Sequence, residues 1–291
     1  MLPTEPNTPP NSRVWRVIHF PLVLLVIGFV FVMAGNVLAS VLAHYFPPLH
    51  NNPVEMLQTA AFAALVAGAY VAFVRLIERR PVAEFGAKGW ARELAVGLLL
   101  GVALFSVVIG IIALLGGYRV IGYGPVAVLY PAVALSIFSG VGEEIVLRGL
   151  FFRLIERWLG SWIALALSAA AFGALHLGNP NATVFAGFAI ALEAGVMLGA
   201  LYMVTRRLWA AIGLHAAWNF AQGGIYGVSV SGFEQKGLLR PDLRGAEWLT
   251  GGAFGAEASL VALIVNVAFG IGLLVIAYRR CHIVAPFWAR R

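Results

Sequence analysis

Residues 126–157 read VAVLYPAVALSIFSGVGEEIVLRGLFFRLIER, a long apolar run broken midway by Glu143, Glu144 and Arg148. A helix needs about 20 apolar residues to cross a ~30 Å hydrocarbon layer, and this run exceeds that length. Comparable runs recur at roughly 20–45, 57–77, 93–115, 162–177, 183–204, 208–227 and 259–278. The pattern predicts an all-α fold, a polytopic transmembrane bundle of about eight spans. Composition agrees: 61% of the 291 residues are hydrophobic and 11% charged, against about 25% charged in soluble domains. The mean hydropathy is +0.88.

Charge placement reads as topology. With the N-terminus taken as cytoplasmic, the inside segments hold Arg13, Arg16, Arg75, Arg79, Arg80, Lys88, Arg92, Arg153, Arg157, Arg206, Arg207 and the arginines from Arg279 onward, while the outside segments hold Arg119, Lys236, Arg240 and Arg244. This asymmetry predicts an integral membrane protein with both termini inside. The net charge of +7 is spread over short loops, which argues against nucleic acid as a partner. The lone Cys281 excludes an intramolecular disulfide framework. Arg13 and Arg16 precede an apolar stretch too long for a signal-peptide core, so the first span is expected to be retained.

Within the chain we expect a disordered tail at 1–12, one transmembrane domain over 13–280 with its motifs between 126 and 227, and a basic tail at 281–291. The connection at 229–258 is the longest and is expected to be a lid or a disordered loop, docking at the membrane surface through Trp248 and Phe254. Gly97 with Gly101, and Gly195 with Gly199, have the spacing of close helix contacts.

An ionisable group inside a span costs about 2.5 to 3.5 kcal/mol on insertion scales, so each needs a partner or a purpose. Glu144 and Arg148 stand at i and i+4 and are placed to pair, while Glu143 points about 100° away around the helix. A buried carboxylate without a full counter-charge suits a general base, although the same cluster could merely lock helices together. His176 ends a helix before the Gly178-Asn-Pro-Asn181 turn, where an interfacial or capping role is commoner than a catalytic one. His215 and Asn219, again at i and i+4, project from one stripe and could bond to each other. Glu193 sits mid-span with no i±4 partner; it is expected to be a protonated or hydrogen-bonded carboxyl, with a pair to Arg148 or a place in the site as alternatives. Counted by rise per residue, His215 comes out shallower than Glu143 and His176 unless the helices are staggered.

Together the motifs Glu143-Glu144-x-x-x-Arg148, Phe172-x-x-x-His176 and His215-x-x-x-Asn219 resemble the CAAX protease and bacteriocin-processing (Abi) family of intramembrane peptidases. The resemblance spans about Val126 to Gly227, with the first three helices and the last too plain to add to it; Glu193 is outside the family pattern. It implies hydrolysis of a peptide bond in a membrane-embedded or lipid-anchored substrate, prenylated in eukaryotic relatives, with Glu143, Glu144, Arg148, His176, His215 and Asn219 as site residues. On this reading Glu143 activates a water oriented by His176, while His215 and Asn219 hold the oxyanion and no cofactor is needed. A zinc-dependent version with Glu143, His176 and His215 as ligands stays open, though the His-Glu-x-x-His spacing is missing. A proton-coupled transporter and a non-catalytic immunity or binding protein are the competing classes.

Overall fold

The computed structural model describes residues 13–47 and 52–290; the tail expected at 1–12 lies outside them. A short helix α1 (Arg13–Ile18) leads into α2 (Pro21–Tyr45), α3 (Pro53–Leu76) and α4 (Trp90–Leu114). Proline at the first turn of α2 and α3 costs no hydrogen bond there, and the Asn52 side chain caps α3 by accepting from the Val54 N–H. After strand β1 (Tyr118–Tyr123) come α5 (Leu129–Glu144) and α6 (Arg153–Leu159), joined without a break by a π-helical segment at Ile145–Phe152. Helices α7 (Ser161–His176), α8 (Val184–Ile190), α9 (Met197–Thr205) and α10 (Trp209–Asn219) follow. Further π segments join α8 to α9 (Ala191–Val196) and prolong α10 (Phe220–Ile225). Strand β2 (Leu239–Leu243), α11 (Glu247–Thr250) and α12 (Leu260–Arg279) complete the chain.

The protein is a helical polytopic membrane bundle. Among the described residues six helices are long and apolar enough to cross a bilayer: Pro21–Tyr45, Pro53–Leu76, Trp90–Leu114, Val126–Leu159, Val184–Thr205 and Leu260–Arg279. The other two of the eight expected passes are shorter, with α7 at 16 residues and α10 at 11 before its π extension. Both have bundle helices for neighbours along much of their length, so neither has to match the lipid alone.

Small residues set the helix spacing. A Cβ on Gly97 or Gly101 would run into the carbonyl oxygens of Ala210 or Leu214, and one on Gly213 into that of Leu94, so α4 and α10 lie backbone to backbone. Gly140 does the same for α5 and α10, where an added Cβ would stand 2.9 Å from the Ala216 Cβ. Gly195 and Gly199 face Ala169 and Leu165 of α7 in the same way.

The two sets of basic residues lie at opposite ends of α4. At one end Arg153 is paired with Glu78 at 2.8 Å and with Glu84 at 3.3 Å, and Arg80 with both carboxylates, while Arg207 reaches the carbonyls of Gly86 and Lys88. Burial works against the charge on Glu78, but Arg153 and Arg80 prevail and hold its carboxyl below the usual glutamate range. At the other end β1 and β2 form a two-stranded antiparallel sheet that pairs Arg119 with Asp242 and carries Arg240, with an irregularity between Val120 and Gly122.

The 229–258 connection is an ordered strap. Its Gly232 N–H donates to the Phe254 carbonyl at 2.7 Å, and the side chains of Asn179 and Asn181 donate to the carbonyls of Ser231 and Gly232. Phe254 is buried at 3% exposure against Leu147 and Phe172, which corrects its expected place at the membrane surface; Trp248 alone is exposed. The strap can bury a phenylalanine because the Asn-Pro-Asn turn supplies donors for carbonyls the strap cannot pair by itself.

Candidate active site

Glu144 and Arg148 are both fully buried and pair at 2.9 Å, as their i, i+4 spacing predicts. The arginine does more than neutralise. Its Nη2 donates to the carbonyls of Ala194 and Gly195, in the π segment of the neighbouring span, and its guanidinium carbon lies 4.9 Å from the Phe172 ring centroid. Phe172 is thereby a platform: His176 stands 4.7 Å from it between ring centroids, and His215 meets it edge-on at 6.0 Å. One aromatic ring thus sets the positions of three site residues from three spans.

His215 is held between the two glutamates. Its Nδ1 lies 3.0 Å from Glu144 Oε1 and its Nε2 3.8 Å from Glu143 Oε2. The depth mismatch disappears because the helices are staggered: the Leu208 N–H at the start of α10 donates to the Glu84 carbonyl, and Glu84 is level with Arg153, a turn inside Arg157. His215 and Asn219 do not bond to each other. The Asn219 amide donates to Ser139 Oγ at 2.9 Å instead, one turn before Glu143 on α5.

His176 donates its Nδ1–H to the Phe172 carbonyl at 2.8 Å. A carbonyl only accepts, so this bond fixes the tautomer and leaves Nε2 free as an acceptor. His176, His215 and Asn219 face a common cavity of about 30 Å³, enough for a water or two. Glu143 is not in the cavity wall. Its side chain is 39% exposed, although the Oε2 that faces His215 is buried, so the expectation of a fully buried Glu143 is corrected: it stands at the edge of the site and meets it through His215.

Glu193 is buried and hydrogen-bonded, as expected, but to Asn266 Nδ2 of α12 at 3.2 Å. The alternative pairing with Arg148 does not occur, because that guanidinium is committed to Glu144 and to two carbonyls. Four further residues join the site that the motifs did not name: Ser139, Gln222, Glu257 and Asn266. Gln222 accepts from the Trp218 indole N–H at 3.0 Å, and Glu257 accepts from the Ser231 N–H on the strap. Burial pushes the Glu257 carboxyl up to about 7.

Among the described residues no three His, Cys, Asp or Glu side chains converge closely enough to hold a metal ion. Glu143 is outside the cavity that the two histidines share.

Residues 125–221 match the family model described as type II CAAX prenyl endopeptidase, Rce1-like. The chain carries an Rce1-like domain. This agrees with the CAAX protease and bacteriocin-processing resemblance, and the domain spans all the motif residues from Glu143 to Asn219. By this family the Rce1-like domain is that of a CAAX-type membrane protease, a hydrolase. No curated protein and no solved structure matches the chain.

Proposed function

We propose that the Rce1-like domain hydrolyses a peptide bond of a membrane-embedded or lipid-anchored substrate, with a water activated by Glu143 and no metal. The observation that carries this reading is the water-sized cavity faced by His176, His215 and Asn219, with His215 fixed between Glu143 and Glu144. His176 Nε2 accepts a hydrogen bond from the attacking water, which stands where the cavity meets Glu143 at its edge, and Glu143 takes its proton as the oxygen reaches the scissile carbon. The second N–H of Asn219, which Ser139 orients through the first, donates to the forming oxyanion together with His215 Nε2–H. That donor requires a doubly protonated ring, with Glu144 holding the Nδ1–H. Glu144 and Arg148 position His215 and do not touch the substrate.

A cleft of about 610 Å³ beside the strap, where Phe185, Trp248, Phe254 and Leu260 line it together with Asn181, Thr183 and Glu247, supports binding of a hydrophobic stretch of such a substrate. The positive-inside pattern supports cytoplasmic termini in a plasma membrane of bacterial type. The test compares membrane proteomes of cells carrying the native chain and Glu143→Gln, followed by cleavage of the accumulated protein with purified enzyme. Uncleaved substrate should build up only with the variant. Full cleavage by folded Glu143→Gln, or chelator inactivation reversed by zinc, refutes the mechanism.

A further inference from the structure

The cavity has a second wall that the peptidase mechanism does not use. Opposite the histidines stand Glu193 and Glu257, 1% and 3% exposed, with Asn266 beside them at 1%. The two carboxyls line the same cavity. Among the described residues no Lys or Arg pairs with either of them. The Arg148 guanidinium bonds to Glu144 and to the carbonyls of Ala194 and Gly195, and His215 has Nδ1 3.0 Å from Glu144 and Nε2 3.8 Å from Glu143. Glu193 receives one donor, the Asn266 amide; Glu257 receives the Ser231 N–H, the Ser231 hydroxyl and the Gln222 side chain.

Acceptors therefore outnumber donors on this wall. The clearest sign is Asn266 Oδ1, a buried amide oxygen on the cavity wall with no hydrogen-bond partner. Native proteins seldom leave such an atom unsatisfied, and in a bilayer no bulk water is at hand to supply the missing donor. What would satisfy two carboxyls and an amide oxygen at once is a group that only donates and carries positive charge. An ammonium has three donors and no acceptor. Its head is about the size of one water, within the water or two that a space of about 30 Å³ takes. Ile190, Met197 and Leu198 complete the wall with apolar surface of the kind that receives the methylene stem of a lysine.

We propose that Glu193, Glu257 and Asn266 form an ammonium subsite that seats a lysine side chain of the substrate next to the scissile bond. The inference rests on the peptidase reading for the identity of the ligand, but the site itself can be tested without turnover. The purified full chain in detergent is heated in methylammonium chloride, in tetramethylammonium chloride and in sodium chloride at equal ionic strength. Methylammonium should raise Tm by roughly 2 °C or more over the other two at saturation, because it binds the native state alone. Glu193→Gln, Glu257→Gln and Asn266→Leu should each remove that difference, so the result does not depend on any one variant folding. Equal shifts with all three salts overturn the subsite; a shift with sodium that Glu193→Gln removes overturns the ammonium assignment in favour of a metal cation.

In a second arm, quenched-fluorescent peptides carrying lysine, norleucine or arginine at one position are cleaved by the same preparation. Lysine should exceed norleucine by roughly tenfold or more in kcat/KM, the size of a charged hydrogen bond, and the ratio should fall to near one in Glu193→Gln. Cleavage without lysine preference sinks the subsite and spares the peptidase. A methylammonium shift without cleavage of any peptide spares the cation site and sinks its assignment to substrate lysine.

Discussion

Replacing Arg148 by methionine keeps most of the side-chain volume and removes the charge, so its cost can be worked from the bonds it makes. The guanidinium gives one charged bond to Glu144 at 2.9 Å, two to the carbonyls of Ala194 and Gly195 at 3.1 and 3.2 Å, and a contact with the Phe172 ring at 4.9 Å. Taking one partner from a buried ion pair typically costs about 3 to 5 kcal/mol, because the remaining charge is left without compensation. Here His215 still faces Glu144, which places Arg148→Met near the middle of that range, at about 4 kcal/mol. Glu144→Gln should cost slightly less, since the arginine keeps its two carbonyls. In the double variant neither charge is stranded, so the combined loss should fall short of the sum by about 2 kcal/mol. Unfolding in mixed micelles by titration with dodecyl sulfate, followed by tryptophan fluorescence, measures all three variants. Ordinary hydrogen bonds between membrane helices average about 0.6 kcal/mol in such cycles. A coupling at or below that value would show that the pair is not the organising contact of the site.

Asn219→Ala should lower kcat by about 100- to 1000-fold, as loss of an oxyanion donor does, with KM little changed. Ser139→Ala, which frees the amide without removing it, should act in the same direction and less strongly; equal effects would make the serine itself a participant. Gly140→Ala puts a Cβ 2.9 Å from that of Ala216 and should destabilise by about 1 to 3 kcal/mol, whereas Gly142→Ala, with nothing within 4 Å, should be neutral or gain roughly 0.5 kcal/mol; thermal unfolding of the two side by side decides it. The Glu257 carboxyl is raised from 4.5 to about 7, so the docked strap holds a proton that the open one gives up. Its docking should therefore be strongest below pH 4.5 and weaken as pH rises to 7, by about 1.4 kcal/mol per unit. Hydrogen exchange at Ser231 and Gly232, corrected for intrinsic rates, should follow that slope in the native chain and lose it in Glu257→Gln.

Much of this was legible in the sequence because the bilayer makes legibility cheap. Apolar runs mark the spans, so the expected run at 126–157 ends within a turn of the observed Val126–Leu159. Charged residues stood out for the same reason, and the Glu144–Arg148 pair, the separate direction of Glu143 and the buried Glu193 are all found. What was missed had no charge or no span. Asn266 and Ser139 are neutral polar residues that an accounting of insertion cost passed over, and Asn266 lies on the last helix, which looked too plain to contribute. Glu257 lies on the strap, where a carboxylate looks like ordinary loop chemistry until the strap is seen to fold inward. The stagger that brings His215 level with Glu143 depends on the Leu208–Glu84 contact between distant segments, which no local spacing contains.

The three π segments link the membrane setting to the site. Each lies on a helix that supplies site residues: one follows Glu144 and contains Arg148, one contains Glu193, and one follows Asn219 and contains Gln222. Such segments are uncommon and are found often at functional sites. Their altered hydrogen-bond ladder leaves carbonyls to be satisfied by other donors, and within a bilayer those donors must come from the protein. Arg148 is that donor for Ala194 and Gly195, while Gln222 reaches out to the Ser229 carbonyl and to Glu257 on the strap. The polar side chains that look like a luxury in an apolar bundle are thus partly the means by which its helices can be wound to aim them. Replacing Arg148 or Gln222 should therefore disturb the backbone of the facing segment as well as the chemistry, and the site cannot be emptied of its charges while leaving its geometry in place.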